Sequence, residues 1–174
     1  MSIVRGLNKL VQDLVLAISE DIDLMKLLYY RDSEEDILAM PEVELDKVVG
    51  VNLLDYTFVP DTKTEASTYA SVSLDNVEKA ESRRGLGGRS ETIRQMDVVI
   101  TVFTHYSLIR YYGGNRLLAI VDRIEEIFET ARMESVVGKF DFSLVKEITM
   151  VPEYTGYDIV FRVNTIKESI KTYE

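Results

Sequence analysis

The sequence contains no cysteine and no tryptophan, and it has one histidine and three prolines in 174 residues. Without cysteine there is no disulfide framework, no thiolate metal site and no cysteine nucleophile, which suits a reducing compartment. Long apolar runs are also missing. The stretch from Met1 to Ile18 mixes apolar residues with Arg5, Lys9 and Asp13, so it resembles neither a signal-peptide core nor a membrane span. These absences favour a protein made inside the cell, with no membrane among its partners.

Basic residues are scarce as well, with 20 Lys and Arg against 30 Asp and Glu and a formal net charge of -10. A chain with this balance repels a phosphate backbone at long range, so general binding to nucleic acid is disfavoured. Hydrophobic residues make up 46% of the chain, which is ordinary for a globular protein. We therefore expect residues 1–174 to fold as a single domain with its own core.

Three stretches repeat apolar residues at the three-and-four spacing of an amphipathic helix. They run from Ile3 to Ile18, from Ile22 to Tyr29, and from Leu117 to Ala131 after the break at Gly113–Asn115. The acidic segment 33–67 has no sustained period, and it predicts a long connection with short local structure.

Alternating apolar residues predict strands from Tyr69 to Leu74 and from Ile93 to His105, and a closing pair on either side of Pro152. The glycine-rich segment Glu78–Thr92 is too long for a tight turn, so it predicts a hairpin with a mobile basic tip. This order of elements predicts an α+β fold: an antiparallel sheet with amphipathic helices packed on one face and a long extended hairpin.

Candidate catalytic groups are sparse. His105 is the only histidine, and an imidazole that moves protons needs a partner within hydrogen-bond reach. Asp97 is on the same strand face but about 26 Å away along the strand. Two carboxylates such as Asp122 and Glu126 can bind a divalent cation, yet no histidine accompanies them, and the pattern is typical of a solvated helix face. We predict no catalytic residue, no metal and no cofactor.

The run Gly85–Gly88 is superficially similar to a phosphate-binding loop, but such loops precede a helix, whereas a strand follows here. The run also lacks the lysine and hydroxyl residue of a nucleotide-binding loop. We instead predict that Arg83, Arg84 and Arg89 pair with acidic residues on a neighbouring subunit.

Three further segments occur in a characteristic order. Asp55–Thr62 is a proline-aspartate loop with Glu65 and Tyr69 just after it, Met96–His105 is a long strand ending in histidine, and Gly113–Arg116 opens an amphipathic helix. Together they resemble the tail-completion and tail-terminator proteins of tailed bacteriophages, which sit in the neck of the virion. The resemblance covers roughly residues 53–130 and includes neither the acidic stretch before it nor the arginine-bearing loop.

The resemblance implies an α+β subunit that forms a ring, commonly sixfold, which caps the tail tube, ends its polymerisation and joins tail to head. The implied partners are further copies of the chain, the tail tube protein, head-tail connector proteins and, in a contractile tail, the sheath. DNA would only pass through the channel. The chain would be located in the tail or neck of the virion after assembly in the host cytoplasm. Arg116, in the third segment, joins the three arginines above as a predicted assembly contact.

Three alternatives stay open. Within the same class, the chain is a head-tail connector or stopper that binds the portal complex. In a different class, it is a small enzyme or ligand-binding domain that uses His105 with Asp122 or Glu126, in which case these groups share one concave pocket. In the third, the acidic segment Ser33–Asp46 makes it a regulatory module that binds a host protein.

Overall fold

The computed structural model describes residues 3–32, 35–60, 65–84 and 90–168. The helices are α1 (Ile3–Ser19), α2 (Ile22–Tyr29) and α3 (Arg116–Thr130). The strands are β1 (Leu53–Leu54), β2 (Thr68–Arg84), β3 (Ser90–His105), β4 (Arg110–Tyr111), β5 (Gly114–Asn115), β6 (Val137–Val151) and β7 (Tyr154–Glu168). A five-stranded sheet has the order β1-β2-β3-β7-β6, and β4 with β5 forms a small hairpin before α3.

The four long strands alternate in direction, because β2–β3, β3–β7 and β7–β6 are all antiparallel pairs. Only β1 departs from this pattern, since it pairs parallel to β2 through Leu53 and Leu54. The predicted α+β class with a mostly antiparallel sheet is therefore confirmed. The short parallel strand was not predicted, because a pair of leucines has no readable period.

The core lies between one face of the sheet and the three helices. Met96, Val98, Ile100 and Val102 alternate along β3, and all four have 0% of their surface exposed. They belong to one apolar cluster with the stripes of the helices. Those stripes contain Leu10, Leu14 and Ile18 of α1, Leu24, Leu27 and Leu28 of α2, and Leu117, Ile120, Ile124 and Phe128 of α3. Helices on one face of the sheet are thus what the structure contains.

Local capping explains where two of the helices begin. The Asp21 side chain accepts a hydrogen bond from the Leu24 amide at 2.8 Å and fixes the start of α2. The Asn115 side chain does the same for the Leu118 amide at 3.2 Å and fixes the start of α3. The three helices predicted from periodicity are present with nearly the predicted bounds.

The hairpin of β2 and β3 differs from the prediction. Strand pairing continues through two register shifts to Arg84 opposite Ser90, so most of the segment predicted as a mobile loop is paired strand. The predicted tip at 85–89 lies outside the described residues. The outer ends of β2 and β3 contain polar facing residues such as Ser82 and Thr92. They lack the alternation of apolar residues from which strands are predicted, so the sequence did not indicate these strand ends.

Candidate functional site

Arg116 occupies the first position of α3 and is fully buried, with 0% of its surface exposed. Its Nη1 donates to the Tyr30 carbonyl at 2.6 Å, and its Nη2 donates to the Asp32 carbonyl at 2.5 Å. A longer contact of 3.4 Å joins Nη1 to the Leu27 carbonyl. These groups lie at and just beyond the carboxyl end of α2, where the helix dipole favours a positive charge. The guanidinium therefore joins the end of one helix to the start of another.

Burial lowers the pKa of Arg116 to about 10, although the nearby charge of Asp32 opposes the shift. The side chain is still a cation at neutral pH. Since it is enclosed within the chain, it is not available on the subunit surface, and the structure gives it an internal contact in place of the intersubunit contact predicted for it.

Two of the three segments that carry the family resemblance meet around this side chain, together with Ser67 and Thr68, which lie just before Tyr69. Thr68, at the start of β2, shares a hydrogen bond of 2.7 Å with the hydroxyl of Thr104, and its own hydroxyl lies 3.5 Å from Nη1 of Arg116. The His105 amide donates to the Ser67 carbonyl at 3.1 Å. Residues from the loop before β2, the end of β3 and the start of α3 thus form one junction, which is buried except at the partly buried His105. We call these five residues, Ser67, Thr68, Thr104, His105 and Arg116, the strand-end junction.

The imidazole of His105 is used locally. Its Nδ1 lies 2.8 Å from the Ser107 hydroxyl and accepts the Ser107 amide at 3.2 Å, so the ring caps the short turn that follows β3. The ring also meets Tyr154 edge-on with centroids 5.3 Å apart. Phe58, Tyr69 and Tyr154 continue this aromatic group toward the proline-aspartate loop.

The acidic side chains proposed as partners of His105 point elsewhere. Asp122 and Glu126 are exposed residues of α3, and Glu126 pairs with Arg123 at 2.9 Å. A cavity of about 540 Å³ lies between α1 and the end of α3. Its lining contains Asp13, Glu20 and Met133. It does not contain His105, Asp122 or Glu126, which the enzyme hypothesis places together in one pocket. Over the described ranges, no group of three or more potential metal-ligating side chains occurs, and no helix is long and apolar enough to cross a membrane.

The face of the sheet without helices carries a polar network. Asp97 is 5% exposed there, and its carboxylate accepts from Arg162 Nε at 3.0 Å and from Asn76 Nδ2 at 2.8 Å. The hydrogen bond from Arg162 holds the pKa of Asp97 below its ordinary value of 3.8, against the opposing effect of burial. Asn76 sits at the register shift of β2 with a φ of 48°, which turns its amide toward the carboxylate.

The predicted arginine contacts lie at the far end of the long hairpin. Arg83 and Arg84 are the last residues of β2, at positions opposite Glu91 and Ser90, while Arg89 is outside the described residues. Their role as assembly contacts stays a prediction.

The outer strand β6 exposes apolar side chains that the sequence reading did not single out. Phe142, Leu144 and Val145 are 47%, 45% and 37% exposed, and β6 pairs only with β7 among the described strands. At the other edge of the sheet, β1 pairs with only two residues of β2, and Val77 beyond them is 47% exposed. The sequence contained a sign of this exposure, because β6 has apolar residues on both of its faces, whereas a strand with one covered face needs them on only one.

Comparisons with known proteins complete the description. A family model described as YomW matches residues 21–163. A solved chain from the virion of a native gene transfer agent particle is 16% identical, with a TM-score of 0.44 over 68% of this chain and 81% of that chain. A comparison with curated proteins gives no match.

Proposed function

The chain belongs to the YomW family, and from that premise we propose that it is a structural protein of a phage-type virion. More specifically, we propose that it acts in the neck as a tail terminator, forming a ring that caps the tail tube, ends its polymerisation and joins tail to head. Other copies of the chain, the tail tube protein and head-tail connector proteins are its partners in this role.

The observation that carries the proposal is the strand-end junction. The resemblance to tail-completion and tail-terminator proteins depends on three segments that are far apart in sequence, and unrelated chance matches have no reason to meet in space. Here Thr68, Thr104 and Arg116 come from those segments or their immediate neighbours and are joined by hydrogen bonds. The end of β3 and the start of α3, with the residue just before Tyr69, therefore form one packed structural unit.

The charge of the chain is compatible with a subunit around a DNA channel. With a formal net charge of -10, the protein repels the phosphate backbone at long range. A wall of this kind lets DNA pass without holding it. In the proposed role, DNA passes through the channel without being bound, and we propose no nucleic-acid binding site.

The test is deletion of the gene from the phage or prophage that encodes the chain, followed by complementation and electron microscopy of the particles. Loss of a terminator should give tails of uncontrolled length and separate heads. Loss of a connector should instead give tails of normal length and separate heads, which would favour the alternative role. Normal infectious particles from the deletion would overturn the virion role altogether.

We further propose that the protein catalyses no reaction. We expect His105→Ala to complement the deletion with near-normal particle numbers, because the imidazole caps a turn and is not grouped with Asp122 or Glu126 in a pocket. Glu126→Gln serves as the second arm of this test. A folded His105→Ala chain with a measurable loss of turnover on any substrate would establish the enzyme alternative.

A further inference from the structure

We infer that copies of this chain join edge to edge, with the outer side of β6 in one copy pairing antiparallel with the outer half of β2 in the next. The pairing rests on the ring proposed above, since it states how neighbouring copies meet. It concerns two strands whose outer sides are both free of a strand partner in the described parts of the chain: β6 along its length, and β2 beyond the residues that β1 covers.

Strand direction favours this contact. The order β2-β3-β7-β6 contains four strands that alternate in direction, so β2 and β6 run opposite to each other. When a second copy is placed beside the first in the same orientation, its β2 is therefore antiparallel to the first copy's β6. The sheet then continues from copy to copy in one antiparallel pattern, and the helices stay on one side. A repeated contact between two different edges is heterologous, and such a contact forms a ring when its rotation closes.

Part of the edge of β6 is regular enough to pair with another strand. Edge strands of monomers usually carry charges, prolines or strong bulges that prevent pairing with another chain. Here β6 carries Lys146 and Glu147 and has three register shifts, but the stretch from Leu144 to Ile148 pairs with β7 without a shift and contains no proline. Leu144 and Val145 stay 45% and 37% exposed on opposite faces of it. Pairing with another strand would cover both.

The charges on the two edges are complementary in the antiparallel arrangement. Asp141 and Lys146 of β6 are five residues apart, and so are Glu78 and Arg83 of β2. Pairing Lys146 with Glu78 also places Asp141 opposite Arg83, and each interval contains one register shift. Lys146 lies opposite Asp158 in its own copy and Glu78 lies opposite Gln95, which puts both on the helix-free face that carries Asp97.

Because the sequence contains no cysteine, introduced cysteine pairs test the contact between β6 and β2 directly by disulfide cross-linking. Cα atoms of facing residues in an antiparallel pair are about 4.5–5.5 Å apart, which matches disulfide geometry. A chain with both Glu78→Cys and Lys146→Cys should give a ladder of head-to-tail oligomers after oxidation, in the purified protein or in purified particles. Each single variant alone should give monomers, and an equal mixture of the two should give dimers only. Leu118→Cys, on the exposed side of α3, is the matched control for random collision.

Two results would overturn the pairing. Absence of a ladder in both the purified chain and the particles would exclude contact between these edges. Strong dimer formation by Lys146→Cys alone would indicate that β6 pairs with β6 of another copy, which closes a dimer and not a ring. A ladder without any particle phenotype would support the pairing and count against the virion role, so the two proposals fail separately.

Charge reversal at Lys146 and Glu78 is an independent test of the contact between β6 and β2. Lys146→Glu and Glu78→Lys should each weaken self-association by about tenfold or more, because each places like charges opposite one another. Mixing the two variants should restore association, since every contact in the mixture can then pair opposite charges. Arg132→Glu, exposed between α3 and β6, makes the same change in charge as Lys146→Glu but away from both edges. Light-scattering mass is the readout, and failure of the mixture to recover would contradict the assigned register.

Discussion

The most constrained single residue is Arg116, because its buried guanidinium depends on the carbonyls of Tyr30 and Asp32, while its Nε is buried with no partner among the described residues. We expect Arg116→Met, which keeps the volume of the side chain, to lower the free energy of unfolding by about 2–4 kcal/mol, since it leaves the carbonyls of Tyr30 and Asp32 without a charged donor. Urea unfolding followed by circular dichroism measures the change. Arg110→Met, at an exposed position of β4, is the control and should have little effect. Equal effects of the two variants would mean that Arg116 contributes no more than a surface arginine.

Asp97 gives the helix-free face a dependence on pH. Its pKa in the folded chain lies below the ordinary value of 3.8, so its contribution to stability is present above that value and is lost as the pH falls through the folded pKa. We expect the wild-type chain to be more stable than Asp97→Asn at neutral pH, and the difference to shrink as the solution is acidified below about pH 4. Chemical unfolding at several pH values tests this. Asp122→Asn, exposed on α3, is the control for the loss of one carboxylate. A stability difference between wild type and Asp97→Asn that stays constant with pH would contradict the assigned cause.

At the scale of elements, the apolar stripe of α3 holds the helix layer on the sheet. Ile124 is 0% exposed in the middle of that stripe. Ile124→Asp should destabilise the chain by more than about 4 kcal/mol, because it removes a packed side chain and buries an unpaired charge. A loss of that size approaches the whole stability of a typical domain, so we expect the thermal transition to disappear or to fall sharply. Glu125→Asp changes the exposed neighbour and should melt normally.

The end of the long hairpin is the element for which an assembly contact was predicted. Replacing Arg83, Arg84 and Arg89 together by Glu should leave the fold intact, because the change removes no apolar side chain. It should block joining of heads and tails, since like charges repel across a contact with an acidic neighbour. Complementation scored by counting tailed particles, heads and tails is the measurement. Replacement of the three residues by Lys keeps the charge and should complement; normal particles with Glu would remove the hairpin from the set of assembly contacts.

Periodicity was enough to predict α1, α2 and α3 and the central part of β3, because each of these buries one continuous apolar face. It did not predict the outer ends of β2 and β3. There the strands continue through polar pairs such as Lys79 opposite Arg94, whose ladder depends on the backbone of a neighbouring strand and not on a buried face. Pairing with β7, which no local window of sequence contains, extends β3 to its full length.

For the molecule as a whole, the sequence could predict the α+β architecture but not how side chains meet across the fold. Arg116 illustrates the difference. Its place at a glycine-asparagine turn made it a candidate surface contact, whereas the structure buries it against carbonyls more than 80 positions earlier in the chain. The exposed edge of β6 was overlooked for the related reason that burial of a strand depends on which neighbours the sheet order gives it.

The length of β3 has a mechanical consequence. At the usual rise per residue its 16 residues span about 50 Å, whereas the 15 residues of α3 span only about 22 Å. The pairing of β2 with β3 continues to Arg84 opposite Ser90, so the paired strands are longer than the helix and their outer end forms an arm. The length of this arm can be changed in fixed steps. Removing two facing residues from each of β2 and β3 shortens the arm by about 7 Å, and each remaining side chain stays on its face of the sheet. Removing one residue from each strand moves every side chain beyond the deletion to the opposite face.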